Sequence, residues 1–378
     1  MHDIVHDFAE SMAQGYRVHH LSLIVEETFP EFIYEAKNLR FLNLDFISFP
    51  IVQSQLFDHL TCLRTLHLKV DGRSILEIPN EVEKLIHLRF LKISNIKIKE
   101  LPESICNLCN LQSLDVSWCW KLQLPQGIGK LINLRHLLIR QDLYTSRIKS
   151  FPKGFGRLTC LKTLTYFPVG GKGEEICKLR ELEHLNHIQG KLEIVGLKNV
   201  VDFGAIGNTL KNKNDLHDLV LSFIAIDEFE GEEEKKEETE EERRSKMEKD
   251  VDILNALEPP PRLESLKIKI YKGTTMYANW VMSKLTYLKS LYLYHCPNLE
   301  QLPPLGKLPL LEEFEIMIAP MIRKVGDEFL GIDIEEEEDY QNHPKTITTK
   351  TSSYSQTLNL SYLTKCTAGK NGLGWEEQ

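Results

Sequence analysis

Apolar residues along this chain fall on a pattern, Leu-x-x-Leu-x-Leu, with Ile, Val, Phe or Tyr admitted at the last two places. It runs through Leu39-Leu42-Leu44, Leu63-Leu66-Leu68, Leu88-Leu91-Ile93, Leu111-Leu114-Val116, Leu134-Leu137-Ile139 and Leu161-Leu164-Tyr166. It returns at Leu216-Leu219-Leu221, Leu263-Leu266-Ile268, Leu288-Leu291-Leu293 and Leu311-Phe314-Ile316, with degenerate copies near Leu21-Leu23 and Leu192-Ile194. The first six copies start 24, 25, 23, 23 and 27 residues apart, and the last three 25 and 23. A fixed period of this length marks a stacked-repeat architecture. Each repeat supplies one short strand and a return segment, and neither buries its apolar face without a neighbour. Side chains alternate along a strand, so the paired leucines point inward and the residues between them point out. The return segments carry inward residues of their own: Ile98, Leu101, Ile105 and Leu108, then Leu122, Leu124, Ile128 and Leu131. Leu101-Pro102, Leu124-Pro125, Phe151-Pro152 and Leu302-Pro303 suit turns, because proline fixes φ and removes a donor. The pattern predicts an α/β leucine-rich-repeat solenoid, a horseshoe with a parallel concave sheet, over residues 19–330.

The outward strand positions predict a binding face. They include Phe41, Asn43, Thr65, His67, Phe90, Lys92, Ser113, Asp115 and His136 early, and Asp218, Ser265, Lys267, Ser290, Tyr292, Glu313 and Glu315 late. Just past the strands lie Asp45, Phe46, Trp118, Arg140, Phe167, Phe223, Tyr294 and His295. Exposed aromatics on a rigid sheet favour protein recognition, since Trp and Tyr anchor interfaces. Phe41, His67, Phe90, Lys92, Trp118, His136, Tyr292 and Tyr294 are the expected partner-binding residues. For Phe167 and Phe223, burial under neighbouring loops is an equal alternative. Arg40, Arg64, Arg89, Arg135 and Lys162 each follow the first leucine of a repeat, which places a basic strip at the early end; a merely solvated strip is its ordinary reading.

Charge alters the picture in two places. The formal net charge of −9 hides two acidic runs. Residues 227–250 hold thirteen acids and six bases, and residues 327–339 hold eight acids and no base. The two runs carry −15 together, so the rest of the chain is +6. Residues 227–250 fall inside the 47-residue gap between Leu216 and Leu263, about two repeats long, and read as a solvated loop. Residues 331–378 lose the pattern and read as mostly disordered.

Catalytic motifs fail on inspection. Val169–Glu175 has the glycines of a phosphate loop, but Tyr166 stands where glycine is needed and Gly173 where Ser or Thr is needed. Cys106 and Cys109 form a lone Cys-x-x-Cys without a second pair at zinc spacing. Cys119 and Cys296 fall nine positions into their repeats, where a small polar group bonds neighbouring backbone. The eight cysteines show no disulfide-scaffold spacing, and no run approaches the roughly 20 apolar residues of a membrane helix. The expectation is a non-enzymatic protein of a reducing compartment, the cytoplasm with the nucleus left open. Neither a nucleic-acid partner nor a membrane span is expected.

"MHDIVHDFAE", "RVHHLSLIV", "LRELEHLNHIQGKLEIVGLKNV" and "PNLEQLPPLGKLPLLEEFEI" resemble plant intracellular nucleotide-binding leucine-rich-repeat disease resistance proteins of the coiled-coil class, over roughly residues 1–330. The resemblance implies that Met1-His2-Asp3 is the family's Met-His-Asp motif, closing a winged-helix subdomain of the nucleotide-binding module. His2 would then contact bound ADP. Ile4, Val5, Phe8 and Met12 lie on one face of a following helix, so residues 1–18 read as a remnant of that module. The phosphate loop is missing, so no cofactor is expected for this chain, although the full-length family binds ADP or ATP. A C-terminal fragment starting at an internal methionine is the expectation. The resemblance implies recognition of a pathogen effector or guarded host protein, and restraint of the nucleotide switch through contact with the nucleotide-binding module. A stand-alone repeat scaffold or decoy, without switching, is the alternative.

Overall fold

The computed structural model describes residues 18–26, 29–47, 52–70, 77–94, 98, 100–119, 122–140, 148–171, 173–201, 206–224, 239–276, 285–322, 324–325, 357–359, 366–369 and 372–375. Met1, His2, Asp3 and the expected helix after them lie outside the described residues. The chain divides into two compact units, one of Met1–Leu192 with Ile226–Gly231 and the other of Glu193–Ala225 with Glu232–Gln378.

In the first unit, seven strands pair in sequence order: β1 (His20–Val25), β2 (Phe41–Phe46), β3 (Thr65–Val70), β4 (Phe90–Ser94), β5 (Ser113–Asp115), β6 (His136–Leu138) and β7 (Thr163–Leu164). Every pairing is parallel. The register puts Leu21, Leu42, Leu66, Leu91, Leu114, Leu137 and Leu164 in one row across the sheet. All are buried, and six are at 0% exposure. A buried leucine contributes about 1.5–3 kcal/mol, so the row explains why the repeat tolerates variation elsewhere but keeps its leucines. A short strand β8 (Tyr166–Pro168) follows β7.

The return segments tighten into 3-10 turns. Glu31–Glu35, Asn80–Lys84, Glu103–Asn107 and Gln126–Lys130 are each preceded by proline: Pro30, Pro79, Pro102 and Pro125. Those prolines have φ between −63 and −69°, the value their rings impose. Side chains then stitch successive returns together. Asn110 Nδ2 donates to Ile86 O and Asn133 Nδ2 to Cys109 O, both at 2.8 Å and 24 residues back. Gly129 is required where two repeats approach closely, because a Cβ there would meet Gly154 O at 2.4 Å.

In the second unit, β9 (Gly190–Val195) leads into β10 (Leu216–Ser222), β11 (Ser265–Lys269), β12 (Ser290–Tyr294) and β13 (Glu313–Met317). The last four are parallel neighbours. These are the sheets of an α/β leucine-rich-repeat solenoid. Both degenerate copies are strands. Around β9 the chain carries one extra residue between Ile188 and Leu192, and Gly190 absorbs it at φ +76°, a conformation glycine reaches without strain.

One expectation about the insertion changes. β10 pairs directly with β11 across the 47-residue gap, but residues 227–250 are not a loop throughout: Glu240–Ala256 forms a 17-residue helix, α2, the longer companion of the six-residue α1 (Ser54–His59). Thr239 and Glu242 form a reciprocal cap at its start, satisfying two otherwise orphaned N–H groups. At the other end Asp250, Ile253, Leu254 and Leu257 share one helical face and are all buried. Lys249 Nζ donates to Lys198 O at 2.8 Å, and the Asp250 carboxylate accepts from Lys272 N at 3.0 Å. The acidic composition hid this docking face because only its last two turns are apolar. Of residues 331–378, the described parts are Thr357–Asn359, which pairs parallel with β13, and Cys366–Gly369 and Gly372–Trp375, which form a small antiparallel sheet with Lys324–Val325.

Two measurements check this account. Leu114→Ala removes a side chain at 0% exposure and is expected to cost about 2–5 kcal/mol in urea unfolding; a loss below the experimental error would contradict the packed row. Burial holds the Asp250 carboxyl up at about 6. A raised folded pKa means that the folded state gains stability as pH falls through 6, and that ionised Asp250 opposes folding above it. Asp250→Asn, whose carbonyl still accepts from Lys272 N, is therefore expected to stabilise the chain at pH 7.5 by roughly 2–3 kcal/mol, with the advantage vanishing by about pH 4. A variant less stable than the native chain at pH 7.5 would contradict it.

Candidate functional site

On the first unit, the register lines the outward residues into columns. The first is His20, Phe41, Thr65, Phe90, Ser113, His136 and Thr163; the second includes Asn43, His67, Lys92 and Asp115. Thr65 is small, and His67, two residues further along the same strand, fills the gap beside it. Its ring lies 5.2 Å from both Phe41 and Phe90, while His20 stacks on Phe41 at 5.5 Å. Diagonal contacts of this kind are within reach of aromatic side chains. Burial and then Lys92 lower the His67 pKa, against opposing pulls from Asp115 and Asp45, so the ring in this aromatic file is neutral at physiological pH.

Lys92 Nζ lies 3.5 Å from Asp115 Oδ2. Asp115 is buried, and its Oδ1 accepts from Ser117 N at 3.0 Å. It therefore serves the turn after β5 and is not free on the face, a correction to its expected role. His136 Nδ1 lies 3.0 Å from Thr163 Oγ1. Trp118 is 46% exposed.

On the second unit the equivalent face is tied more closely. Lys267 Nζ sits 4.1 Å from the Tyr292 ring centroid. Tyr292 and Tyr294 lie nearly parallel, 6.2 Å apart. Tyr292 OH donates to Glu313 Oε2 at 2.5 Å, and Tyr294 OH to Glu315 Oε2 at 3.1 Å. Burial, then the Glu315 bond, push the Tyr294 phenol up to about 12, so both hydroxyls remain donors. Lys269 pairs with Glu193 at 3.1 Å. This pre-organised lattice loses little side-chain freedom when a partner covers it.

All eight expected partner residues thus lie on outward strand faces or just past them: six on the first unit and Tyr292 and Tyr294 on the second. Phe46, Phe167 and Phe223 do not; each is at 2% exposure or less. Phe167 packs edge-on to Phe151 at 5.6 Å and to Phe155 at 6.1 Å, and Phe223 packs on Tyr271 at 5.1 Å. Phe46 ends β2 on the inward parity of Leu42 and Leu44, and Phe223 follows β10 on that of Leu219 and Leu221, so alternation itself carries both into the core; Phe167, within β8, is buried against the parity set by Leu164. Burial lifts the Cys106 and Cys296 thiols to about 12, which leaves neither as a thiolate nucleophile at neutral pH. Cys119 Sγ donates to Ile93 O at 3.2 Å, the backbone bond expected nine positions into a repeat.

A feature absent from sequence reasoning recurs eight positions into the repeat. Trp118, Ile270, His295 and Ile318 all adopt φ between +57 and +65°. In three of them the strained N–H donates to the following repeat: Trp118 N to Arg140 O at 2.7 Å, Ile270 N to Tyr294 O at 2.8 Å and His295 N to Met317 O at 2.8 Å. The turn drives the ninth residue into the core and leaves the eighth at the edge of the face. No glycine marks the site, so the sequence carried no signal for it.

Residues 179–318 match the family of R13L1/DRL21 leucine-rich repeats. Over those residues the chain is similar to the leucine-rich repeats of plant disease resistance proteins. Among curated relatives, it is 32% identical to a putative disease resistance protein, RGA4, of Solanum bulbocastanum over 170 residues, and 34% identical to the disease resistance protein RGA2 of the same species over 162 residues. These alignments cover 45% and 43% of this chain but only 15% of each relative. An internalin from Listeria monocytogenes shares the fold at TM-score 0.50 and 18% identity, over 76% of this chain and 70% of its own. That likeness is one of fold, a leucine-rich-repeat solenoid, and no helix among the described residues is long and apolar enough to cross a membrane.

The strained turn is testable. Ile318 is β-branched, 47% exposed and at φ +58°, where an L-residue costs about 1–2 kcal/mol. Ile318→Gly is expected to raise stability by about 1 kcal/mol in urea unfolding; a loss of that size would show that Ile318 contributes more through packing than its backbone costs.

Proposed function

We propose that this chain is the sensing region of a cytoplasmic plant immune receptor, acting by binding and not by catalysis. Its outward strand faces recognise a pathogen effector or a guarded host protein, and its early repeats contact a nucleotide-binding module and restrain the ADP-to-ATP switch. The observation that supports this most is the aromatic and charged file of Phe41, His67, Phe90 and Lys92, continued by Trp118 and His136, displayed on a rigid parallel sheet in repeats similar to those of disease resistance proteins. A ligand that binds better to one state of the switch shifts its population by that difference in affinity. A bound nucleotide belongs to the partner module in this reading, because the phosphate-loop pattern fails in this chain.

The test is co-expression with the nucleotide-binding module of an RGA-type receptor. The chain is expected to co-purify with the module and to reduce cell death in leaf tissue. Replacing Phe41, Phe90 and Trp118 together by Ala is expected to weaken association by about tenfold or more. Failure of the native chain to associate would sink the proposal.

A further inference from the structure

The residue after the first leucine of each repeat has a fixed place. Its carbonyl accepts two N–H groups from the next repeat, as Arg40 O does from Arg64 N at 2.8 Å and Thr65 N at 2.9 Å. The side chains at this place therefore form a column with the spacing of the strands, about 4.8 Å. In the second unit the column is His217, Glu264, Lys289 and Glu312, with the lysine between two carboxylates. Lys289 Nζ pairs with Glu264 at 2.7 Å, and His217 Nδ1 lies 3.6 Å from the same carboxylate. In that column the one lysine is paired with a carboxylate.

The first unit has the same backbone but a different column: Arg40, Arg64, Arg89, Gln112, Arg135 and Lys162. All five cations are exposed. None of them has an ion pair among the described residues. Adjacent cations repel at this spacing. The field reaches neighbouring groups, since Lys162 and Arg135, after burial, lower the His136 pKa.

We propose that the Arg40–Lys162 column is a docking strip for an extended, carboxylate-rich protein segment lying across the strands of the first unit. Charge complementarity selects the occupant. The guanidinium fork matches a carboxylate bidentately, and the strip, about 24 Å long by strand spacing, fits about eight extended residues. A nucleic-acid strand is disfavoured: Asp45 shares the face, and the neighbouring rings are already packed on one another. This proposal rests on the protein-recognition reading and names the chemistry of the partner for one face.

The experiment uses the full chain and fluorescence anisotropy with labelled peptides. A Glu/Ala-rich peptide of about ten residues is compared with its Gln and Lys counterparts and with a single-stranded RNA of matching length. The acidic peptide is expected to bind, and binding is expected to fall as salt rises from about 0.05 to about 0.3 M. Arg64→Gln with Arg89→Gln is expected to weaken it about tenfold, while Lys289→Gln, in the column of the second unit, leaves it within about twofold. Circular dichroism on each variant checks that the repeats remain folded. No acidic binding at low salt, equal binding of the Gln peptide, tighter binding of RNA, or an unchanged double Arg variant would each overturn the proposal. If the strip fails while the Phe41, Phe90 and Trp118 substitutions still weaken association with the switch module, only this proposal falls.

Discussion

The solenoid depends on one repeated bond arrangement. A carbonyl at the second position of each repeat accepts two backbone N–H groups from the next, from His19 O through Arg40, Arg64, Arg89 and Gln112 to Arg135 O. The same arrangement recurs at Glu264 O and Lys289 O. Once it is made, the pitch of the stack is set. Leucines meet leucines in the core, and every outward side chain has a defined neighbour on either side. A strand of three residues such as β5 could not hold its register without such bonds, and here it need not.

The column of charges and the file of rings are consequences of that pitch. Five cations stand in line because their backbone carbonyls are bonded in line. His67 bridges Phe41 and Phe90 because Thr65 leaves room two residues away. The two units use one backbone to different ends. The second fixes its tyrosines with carboxylates and pairs Lys289 with Glu264, whereas the first leaves its strip open. Recognition surfaces in repeat proteins vary in this way because outward residues carry little of the folding energy.

Interruptions are accommodated locally. One extra residue before Leu192 is absorbed by Gly190. A long insertion is absorbed by α2, whose capped start carries the acids and whose last turns dock through Asp250, Ile253 and Leu254. Burying the Asp250 carboxylate opposes stability at neutral pH, but its bond to Lys272 N fixes the turn after β11.

The sequence by itself determined the repeat, the strands and the side of each strand that faces inward, because period and alternation are local geometry and a leucine facing water would forfeit its burial energy. Phe41, His67, Tyr292 and the basic column were legible on that ground. Only the tertiary structure decided what lies past each strand, where alternation stops. Phe167 turns in against the parity of Leu164, and Trp118 and Ile318 stay out on a left-handed turn that hydrogen bonds to the next repeat compensate at Trp118. It also decided which charges meet. Whether Lys289 finds a carboxylate while Arg89 finds none among the described residues depends on the residue one repeat away, and that neighbour exists only once the stack has formed.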